Sequence, residues 1–231
     1  MTYFISDIHG EYDLFLKLLD KIGFSDNDIM YVLGDMIDKG KQSVKLVDYI
    51  RRKPNIKAIV GNHEFDFLEY YCRLMKSLQD GDDANAVLSK LQAYFPNGED
   101  RLSWETIDYL ESLPFYIETA DFICVHAGVE TDENGMILPM RNQKAEVMAY
   151  SRNFKEKSFR LSGDNKTVFF GHTPCSYEND DGAFIKTPKS GAITPQKSAD
   201  YSTIRLDCGV YLTQRLGALR LEDMQEFYVE K

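Results

Sequence analysis

"TYFISDIHGEYDLFLKLLDKI", residues 2–22, passes from a strand pattern to a helix pattern within a few residues. The apolar run TYFIS (2–6) is typical of a buried strand. After the loop that follows, residues 11–22 place Leu14, Leu18 and Ile22 on one face of a helix. The stretch therefore predicts a β-strand followed directly by an α-helix.

The same alternation continues as far as residue 60. Strand patterns at 28–33 and 55–60 lie on either side of a helix pattern at 41–52. Three strands alternating with two helices over short links predict a mainly parallel sheet with right-handed crossovers. Ligands of such sheets bind at the carboxyl ends of the strands. We therefore expect an α/β fold with its functional residues in the loops that follow the strands.

The remainder of the chain divides into a helical region and a strand-rich region. Residues 64–113 are helical and more polar, with breaks at QDGDDAN (79–85) and FPNGED (95–100), which predicts a helical insertion rather than a separate domain. After Pro114 six apolar runs predict strands: FYIET, DFICVHAG, KTVFFGHT, YSTIRLDCG, LGALRL and MQEFYVE. A helix is expected near 142–150, and residues 176–200 are expected to form a mobile or hairpin-containing surface segment. We expect residues 1–231 to form one domain.

The composition excludes several classes of protein. The chain of 231 residues is 43% hydrophobic and 28% charged, as is usual for a soluble globular protein. Its net charge of −10 and lack of a basic patch argue against nucleic-acid binding and against docking on anionic membranes. No apolar run has the length of a membrane span, and the first residues lack the features of a signal peptide. Four scattered cysteines, of which Cys124 and Cys208 lie in or beside apolar runs, favour buried free thiols and a cytoplasmic location.

Polar residues able to bind a metal follow five of the apolar runs. They lie in FISDIHG, VLGDMIDKG, AIVGNHE, ICVHAG and VFFGHTP, and they are Asp7, His9, Asp35, Asp38, Asn62, His63, His126 and His172. Residues two apart in an extended segment point the same way, so Asp7 and His9 could hold one ion from one side. The chain contains four histidines, and every one lies at such a junction. Scattered core histidines would not produce this distribution.

The residue types indicate the kind of metal. Carboxylate, imidazole and amide donors without a thiolate favour Mn²⁺, Fe or Zn²⁺ over Cu(I) or an iron–sulfur cluster. These candidate ligands are too many for one ion with an open position. They suit two ions that share a bridging carboxylate, the arrangement that serves phosphoryl transfer.

The motifs SDIHG, GDMIDKG, GNHE, HAG and GHTP, in that order, resemble the five blocks of the calcineurin-like metallophosphoesterases. Within this family they look like the phosphoprotein-phosphatase branch, which includes bacteriophage lambda phosphatase. The blocks extend over residues 6–174, and LDCG…LGAL (206–219) resembles the closing strands of the family. The resemblance implies a sandwich of two mixed β-sheets flanked by helices, with the helical insertion at about 64–113.

The resemblance also implies roles for the residues at the strand ends. One divalent ion would be held by Asp7, His9 and Asp35, and a second by Asp35, Asn62, His126 and His172. His63 would be the general acid that protonates the leaving oxygen, and Asp38 would orient it and keep it basic. Two cations would lower the pKa of a water molecule between them far enough to give a nucleophile near neutral pH.

The resemblance also proposes cations that would bind the phosphate. The family places an arginine after the second aspartate of its second block, where this chain has Lys39, and a lysine cannot make the two-pronged contact of a guanidinium. The segment VMAYSRNF (147–154) resembles the one that supplies a further arginine, which proposes Arg152, with Arg141 as a rival.

Two positions in the motifs distinguish between branches of the family and their substrates. Pro174 replaces the second histidine of the GHxH block found in nuclease-like members, and this favours the phosphoprotein-phosphatase branch. Symmetrical dinucleoside-tetraphosphate hydrolases commonly have alanine where this chain has Asp38, so Asp38 favours phosphomonoester substrates. We therefore expect a phosphomonoesterase, most simply a manganese-dependent phosphoserine/phosphothreonine phosphatase. The first alternative is a hydrolase of dinucleoside polyphosphates or other small phosphate esters. A non-catalytic scaffold is the weaker alternative, because all the expected metal ligands are present.

Overall fold

The computed structural model describes residues 1–79, 83–95, 101–156, 160–163, 165–192 and 194–231. Within these residues ten strands are formed: β1 Thr2–Ile5, β2 Ile29–Val32, β3 Ile56–Ala58, β4 Tyr116–Glu118, β5 Phe122–Val125, β6 Thr167–Phe170, β7 Ile185–Pro188, β8 Tyr201–Arg205, β9 Arg215–Arg220 and β10 Glu226–Glu230. The α-helices are α1 Tyr12–Ile22, α2 Ser43–Arg51, α3 Asn62–Gln79, α4 Ala84–Gln92, α5 Trp104–Glu111, α6 Ala145–Tyr150 and α7 Val210–Thr213. Short 3₁₀ helices form at Met140–Asn142, Asn153–Lys155, Cys175–Tyr177 and Ser198–Asp200.

The N-terminal sheet has the strand order β10-β9-β1-β2-β3. Strands β1, β2 and β3 are parallel, with Thr2 opposite Ile29 and Ile5 opposite Val32. Strands β9 and β10 complete the sheet in antiparallel orientation. The parallel arrangement predicted from the first sixty residues is confirmed, and the first strand of the chain lies in the middle of this sheet.

The C-terminal sheet has the order β4-β5-β6-β8-β7. Its three inner strands are parallel, and both edge strands pair in antiparallel orientation. The predicted fold class, two mixed sheets flanked by helices, is therefore confirmed. Strand β7 lies in the segment 176–200 and pairs in antiparallel orientation with β8, which begins just after that segment.

Alternating side chains divide the core into layers. In β1, Phe4 belongs to the apolar cluster between the two sheets, whereas Tyr3 and Ile5 pack with the helices on the outer face. The ring of Phe4 stacks on that of Phe169 from β6, with centroids 4.0 Å apart and planes 4° from parallel. A third cluster packs the outer face of the C-terminal sheet against Met140 and Met148. The order of layers is helices, sheet, sheet, helix.

Three helices, α3 to α5, lie between β3 and β4 in the chain. Helix α3 begins at Asn62, two residues before the predicted start of the helical region. Apolar residues of all three helices join the cluster on the outer face of the N-terminal sheet, among them Phe67, Val87 and Ile107. The predicted breaks at 79–85 and 95–100 fall mostly on residues 80–82 and 96–100, which lie outside the described residues. The number of domains stays a prediction.

All four cysteines are free, and three of them, Cys124, Cys175 and Cys208, are buried. Buried free thiols at Cys124 and Cys208 agree with the sequence analysis; the cytoplasmic location stays a prediction. Among the described helices, none is both long and apolar enough to cross a membrane.

Candidate active site

The candidate residues lie in the loops that follow the parallel strands. Eight described residues other than glycine have a positive φ, and six of these lie in the expected motifs: Asp7, His9, Asp35, Asp38, Lys39 and His172. Such conformations cost free energy for residues with a Cβ atom and are concentrated at functional sites. The strained backbone therefore coincides with the residues selected from the sequence.

The turn that carries Asp35 is held by a buried carboxylate at the start of α3. Glu64 accepts hydrogen bonds from four backbone N–H groups: those of Asp35 at 2.8 Å, Met36 at 2.8 Å, Ile37 at 3.1 Å and Gly61 at 2.8 Å. Its side chain is completely buried. Glu64 therefore fixes the loop after β2 to the loop after β3.

Two glycines allow the loops to approach the candidate ligands closely. A Cβ atom on Gly61 would lie 2.2 Å from Oδ1 of Asp35, and one on Gly171 would lie 2.1 Å from Oδ2 of Asp7. Real Cβ atoms do not approach oxygen this closely, so each position requires glycine.

Asp35 is common to two groups of possible metal ligands. The ligand atoms of Asp35, His126 and His172 lie within 4.8 Å of one another, and so do those of Asp35, His9 and His63. Oδ1 of Asp35 is 3.4 Å from Nε2 of His126, and Oδ2 is 3.7 Å from Nε2 of His9. A carboxylate shared in this way is the arrangement expected of a bridging ligand.

Asn62 belongs with the group of His126 and His172. Its Oδ1 lies 2.8 Å from Nδ1 of His172 and 3.1 Å from Nε2 of His126. The four residues expected to hold the second ion are therefore adjacent.

Hydrogen bonds on the far side of two imidazoles leave their lone pairs directed into the site. Nδ1 of His126 donates to the carbonyl oxygen of Leu33 at 2.7 Å, and Nδ1 of His9 donates to that of Ile37 at 3.1 Å. When either ring is neutral, its Nε2 is an acceptor facing Asp35, which can only accept. Converging lone pairs of this kind fit a cation, and backbone carbonyls are the usual partners of metal-binding histidines.

The pKa values of the histidines agree with a site for cations. Burial lowers the pKa of His9 to about 4 against the pull of Asp35, and burial together with His126 lowers the pKa of His172 to about 3. Both rings are therefore neutral near pH 7, the form that binds metals. Burial also opposes the imidazolium of His126, but Asp35 prevails and raises its pKa to about 10.

Asp7 is joined to the loop that carries His172. Its carboxylate accepts a hydrogen bond from the Ser6 hydroxyl and another from the backbone N–H of His172 at 3.0 Å. The group of ligand atoms around His9 and Asp35 also includes His63, and Asp7 lines the same pocket as His9, so its role as a ligand stays a prediction. Burial, and then the neighbouring carboxylate of Asp207, raise the pKa of Asp7 well above its usual value.

His63 and Asp38 form the expected pair. Nδ1 of His63 lies 2.8 Å from Oδ2 of Asp38, and Nε2 lies 3.8 Å from Oδ2 of Asp35. Burial lowers the pKa of His63, but its hydrogen bond to Asp38 and the charge of Asp35 together outweigh burial, so the pKa is raised. The ring therefore presents Nε2 to the site while Asp38 fixes its orientation.

A pocket of about 190 Å³ opens beside these residues and is called the site pocket here. Its polar lining consists of Asp7, His9, Lys39, Arg152, His172 and Asp207. Pro174, Tyr177 and residues 209–212 complete the lining. Nζ of Lys39 lies 2.8 Å from Nε2 of His9, the nitrogen directed into the site. Of the two arginines considered, Arg152 lines the pocket within the described part of the chain and Arg141 does not.

Two residues with evident parts in this geometry were missed in the sequence analysis. Asp207 is buried, lines the site pocket and accepts a hydrogen bond from the backbone N–H of Gly209 at 2.7 Å. Like the other candidates it follows a parallel strand, but no histidine accompanies it in the sequence. Glu64 was quoted in GNHE without a role, because nothing in the motif shows that four N–H groups meet there.

The sequence profile of the calcineurin-like phosphoesterase family matches residues 2–191. The chain belongs to this family. Membership implies divalent metal ions, and the donor set around Asp35 fits them.

Curated relatives of this phosphoesterase come from several bacteria. A symmetrical bis(5'-nucleosyl)-tetraphosphatase of Wigglesworthia glossinidia brevipalpis is 31% identical over 67% of this chain and 54% of the relative. One of Haemophilus ducreyi is 30% identical over 67% of this chain and 55% of the relative. The asymmetrical bis(5'-nucleosyl)-tetraphosphatase PrpE of Bacillus velezensis is 28% identical over 69% and 63%. The phosphoesterase matches little more than half the length of the first two relatives.

Solved structures share the fold. A crystal structure of a candidate diadenosine tetraphosphatase gives a TM-score of 0.67 at 19% identity, covering 99% of this phosphoesterase and 92% of that chain. A protein serine/threonine phosphatase from Saccharomyces cerevisiae gives 0.56 at 13% identity, covering 100% and 79%. At these identities the likeness concerns the fold alone. The relatives thus do not single out the lambda phosphatase-like branch that the motifs favoured.

Proposed function

We propose that this phosphoesterase hydrolyses a phosphoanhydride bond of dinucleoside polyphosphates. The observation that carries the proposal is the similarity, at 30–31% identity over two thirds of the chain, to symmetrical bis(5'-nucleosyl)-tetraphosphatases. This substrate was the alternative in the sequence analysis, and the protein phosphatase becomes the second candidate. The site pocket supports the proposal because it places Lys39 and Arg152 beside the candidate metal ligands, where a polyphosphate chain needs cations.

We propose two divalent ions, Mn²⁺ first and Fe or Zn²⁺ as alternatives. Six residues would hold them, with Asp35 shared: Asp7, His9, Asp35, Asn62, His126 and His172. When bound, such ions supply Lewis-acid polarisation of phosphoryl oxygens and activation of water.

The chain's own residues would orient the substrate and supply a proton. Arg152 can hold phosphate oxygens with two parallel hydrogen bonds, whereas Lys39 offers a single point charge. His63 would donate the proton on Nε2 to the leaving oxygen, because Nδ1 is held by Asp38 at 2.8 Å and the raised pKa keeps the imidazolium populated.

The pair of His63 and Asp38 favours a second candidate, a phosphomonoesterase acting on phosphoserine or phosphothreonine. The leaving alkoxide of such an ester is strongly basic and gains much from a general acid. A leaving phosphate group, whose own pKa is about 6, gains less. The distance of 2.8 Å between Nδ1 and Oδ2 is the observation that supports this candidate.

Product analysis distinguishes the candidates. The purified protein with Mn²⁺ is incubated with diadenosine tetraphosphate and, separately, with a phosphoserine peptide, and His63→Asn serves as the control for contaminating activity. We expect ADP alone from a symmetrical cut; AMP with ATP would assign an asymmetrical cut. Release of phosphate from the peptide without turnover of the dinucleotide would overturn the proposal in favour of the second candidate.

A further inference from the structure

Exposed apolar side chains are concentrated at the site pocket. Among the described residues, six large hydrophobic side chains are exposed, and three of them line this pocket: Tyr177 at 58% exposure, Tyr211 at 62% and Leu212 at 57%. A single exposed apolar residue needs no explanation, but several around one pocket indicate a binding surface.

Two segments carry these side chains, and the backbone joins them firmly. Tyr177 ends the 3₁₀ helix Cys175–Tyr177, while Tyr211 and Leu212 belong to α7. The N–H of Cys175 donates to the carbonyl oxygen of Asp207 at 2.7 Å. A Cβ atom on Gly209 would lie 2.7 Å from Oγ of Ser176, so the two segments touch. A surface held in place before binding costs less to order when a ligand arrives.

The same pocket also has a polar lining that includes two cationic side chains. Lys39 and Arg152 line it together with the candidate metal ligands Asp7 and His9. The pocket therefore suits a ligand with an anionic end and a flat apolar end. Nζ of Lys155 lies 5.1 Å from the ring centroid of Tyr177. More than half of the Tyr177 side chain nevertheless remains exposed.

We propose that Tyr177, Tyr211 and Leu212 form the surface that binds the nucleobase of the substrate, while Lys39 and Arg152 bind its phosphates. The inference rests on the proposed function for the choice of a nucleotide. Stacking on aromatic side chains tolerates any base, because every base has a π-face. We therefore expect selectivity for nucleotides over other phosphate compounds, with little preference among bases.

Paired non-hydrolysable probes test this surface without reference to turnover. With Mn²⁺ at a fixed concentration, calorimetry measures the affinity for α,β-methylene-ADP and for methylenediphosphonate, which differ by the adenosine. Tyr177→Ala and Tyr211→Ala should each weaken binding of α,β-methylene-ADP by roughly 5- to 30-fold, the effect of losing one stacking partner, and change binding of methylenediphosphonate by less than about twofold. Tyr177→Phe and Tyr211→Phe should retain most of the affinity.

Met136→Ala serves as the matched control, because Met136 is an exposed apolar residue that does not line the site pocket. Equal weakening of both probes, no change with either alanine variant, or equal affinity of the unaltered protein for both probes would overturn the inference. If the tyrosine variants behave as expected but diadenosine tetraphosphate is not cleaved, the proposed function fails while the nucleobase surface stands. If the dinucleotide is cleaved and the alanine variants bind normally, the reverse holds.

Discussion

Asp35 is the residue on which both groups of candidate ligands depend. Its two oxygens face His126 and His9 at 3.4 and 3.7 Å. Asp35→Asn removes the negative charge and one oxygen that could bind a metal, while the side chain keeps nearly the same shape. We expect metal affinity to fall by about 100-fold or more, since even indirect partners of a metal site are worth 10- to 100-fold.

Metal content after dialysis, measured by mass spectrometry, checks this expectation. Asp223→Asn is a suitable control, because Asp223 is a surface carboxylate paired with Arg220. Full retention of two ions by Asp35→Asn would contradict the bridging role.

A substitution of His63 tests whether this residue is a general acid or a metal ligand. If His63 is the general acid, its replacement by asparagine should lower turnover by about two to four orders of magnitude and leave the metal content nearly unchanged. The structure makes the test a sharp one, because the ligand atoms of His63 lie within 4.8 Å of those of His9 and Asp35. Loss of one ion from His63→Asn would reassign this histidine as a ligand.

Lys39 departs from the family pattern at a position expected to bind phosphate. It is exposed, and its Nζ lies against Nε2 of His9. We expect Lys39→Ala to weaken inhibition by inorganic phosphate by about three- to tenfold, the effect of losing one partly solvated charged contact. Lys39→Arg should preserve or strengthen inhibition, since a guanidinium can contact two oxygens at once. Unchanged inhibition in the alanine variant would leave Arg152 as the protein's phosphate-binding cation in this pocket.

At the scale of elements, Glu64 links the start of α3 to the loop after β2. Glu64→Ala leaves four buried N–H groups without their partner, so we expect the free energy of unfolding to fall by about 3 kcal/mol or more. Glu64→Gln keeps one acceptor oxygen and should lose roughly half as much. Urea unfolding measures both variants, with Glu69→Ala, an exposed position in the same helix, as the control. Equal stability of Glu64→Ala and Glu69→Ala would show that the loop after β2 keeps its conformation without the hydrogen bonds to Glu64.

Local patterns were sufficient for most elements and for most of the site. Short apolar runs predicted β1, β2 and β3, and the histidines at strand ends led to Asp35 and its neighbours. The hydrogen bonds of Glu64 and the position of Asp207 depend on loops meeting across the molecule, so no local pattern indicated them.

At the scale of the whole molecule, the site depends on how the two sheets pack. Asp35 and Asn62 follow strands of the N-terminal sheet, whereas His126 and His172 follow strands of the C-terminal sheet. Phe4, stacked on Phe169, lies between the sheets. Phe4→Ala should lower the free energy of unfolding by about 3–5 kcal/mol, and Phe4→Leu by less, because the cavity is smaller.

Phe4→Ala also tests whether the packing of the two sheets affects the candidate metal ligands. If the sheets shift into the cavity of Phe4→Ala, the ligands they carry separate and metal affinity falls along with stability. Chemical unfolding with and without Mn²⁺ measures both quantities, since a ligand bound to the native state alone stabilises it by its own binding free energy. An unchanged stabilisation by Mn²⁺ would show that the loops fix the site independently of the sheets.

Asp7 and His172 stand 165 positions apart in the chain, yet a carboxylate oxygen of one lies 3.0 Å from the backbone nitrogen of the other. A ribosome adding about 5–20 residues per second needs roughly ten to thirty seconds to make the intervening chain. Strand β1, flanked by β2 and β9, also waits for a partner from residues 215–220. The nascent chain therefore exposes its first candidate metal-binding motif well before His172 and strand β9 exist, so we expect the site to be completed only late in synthesis.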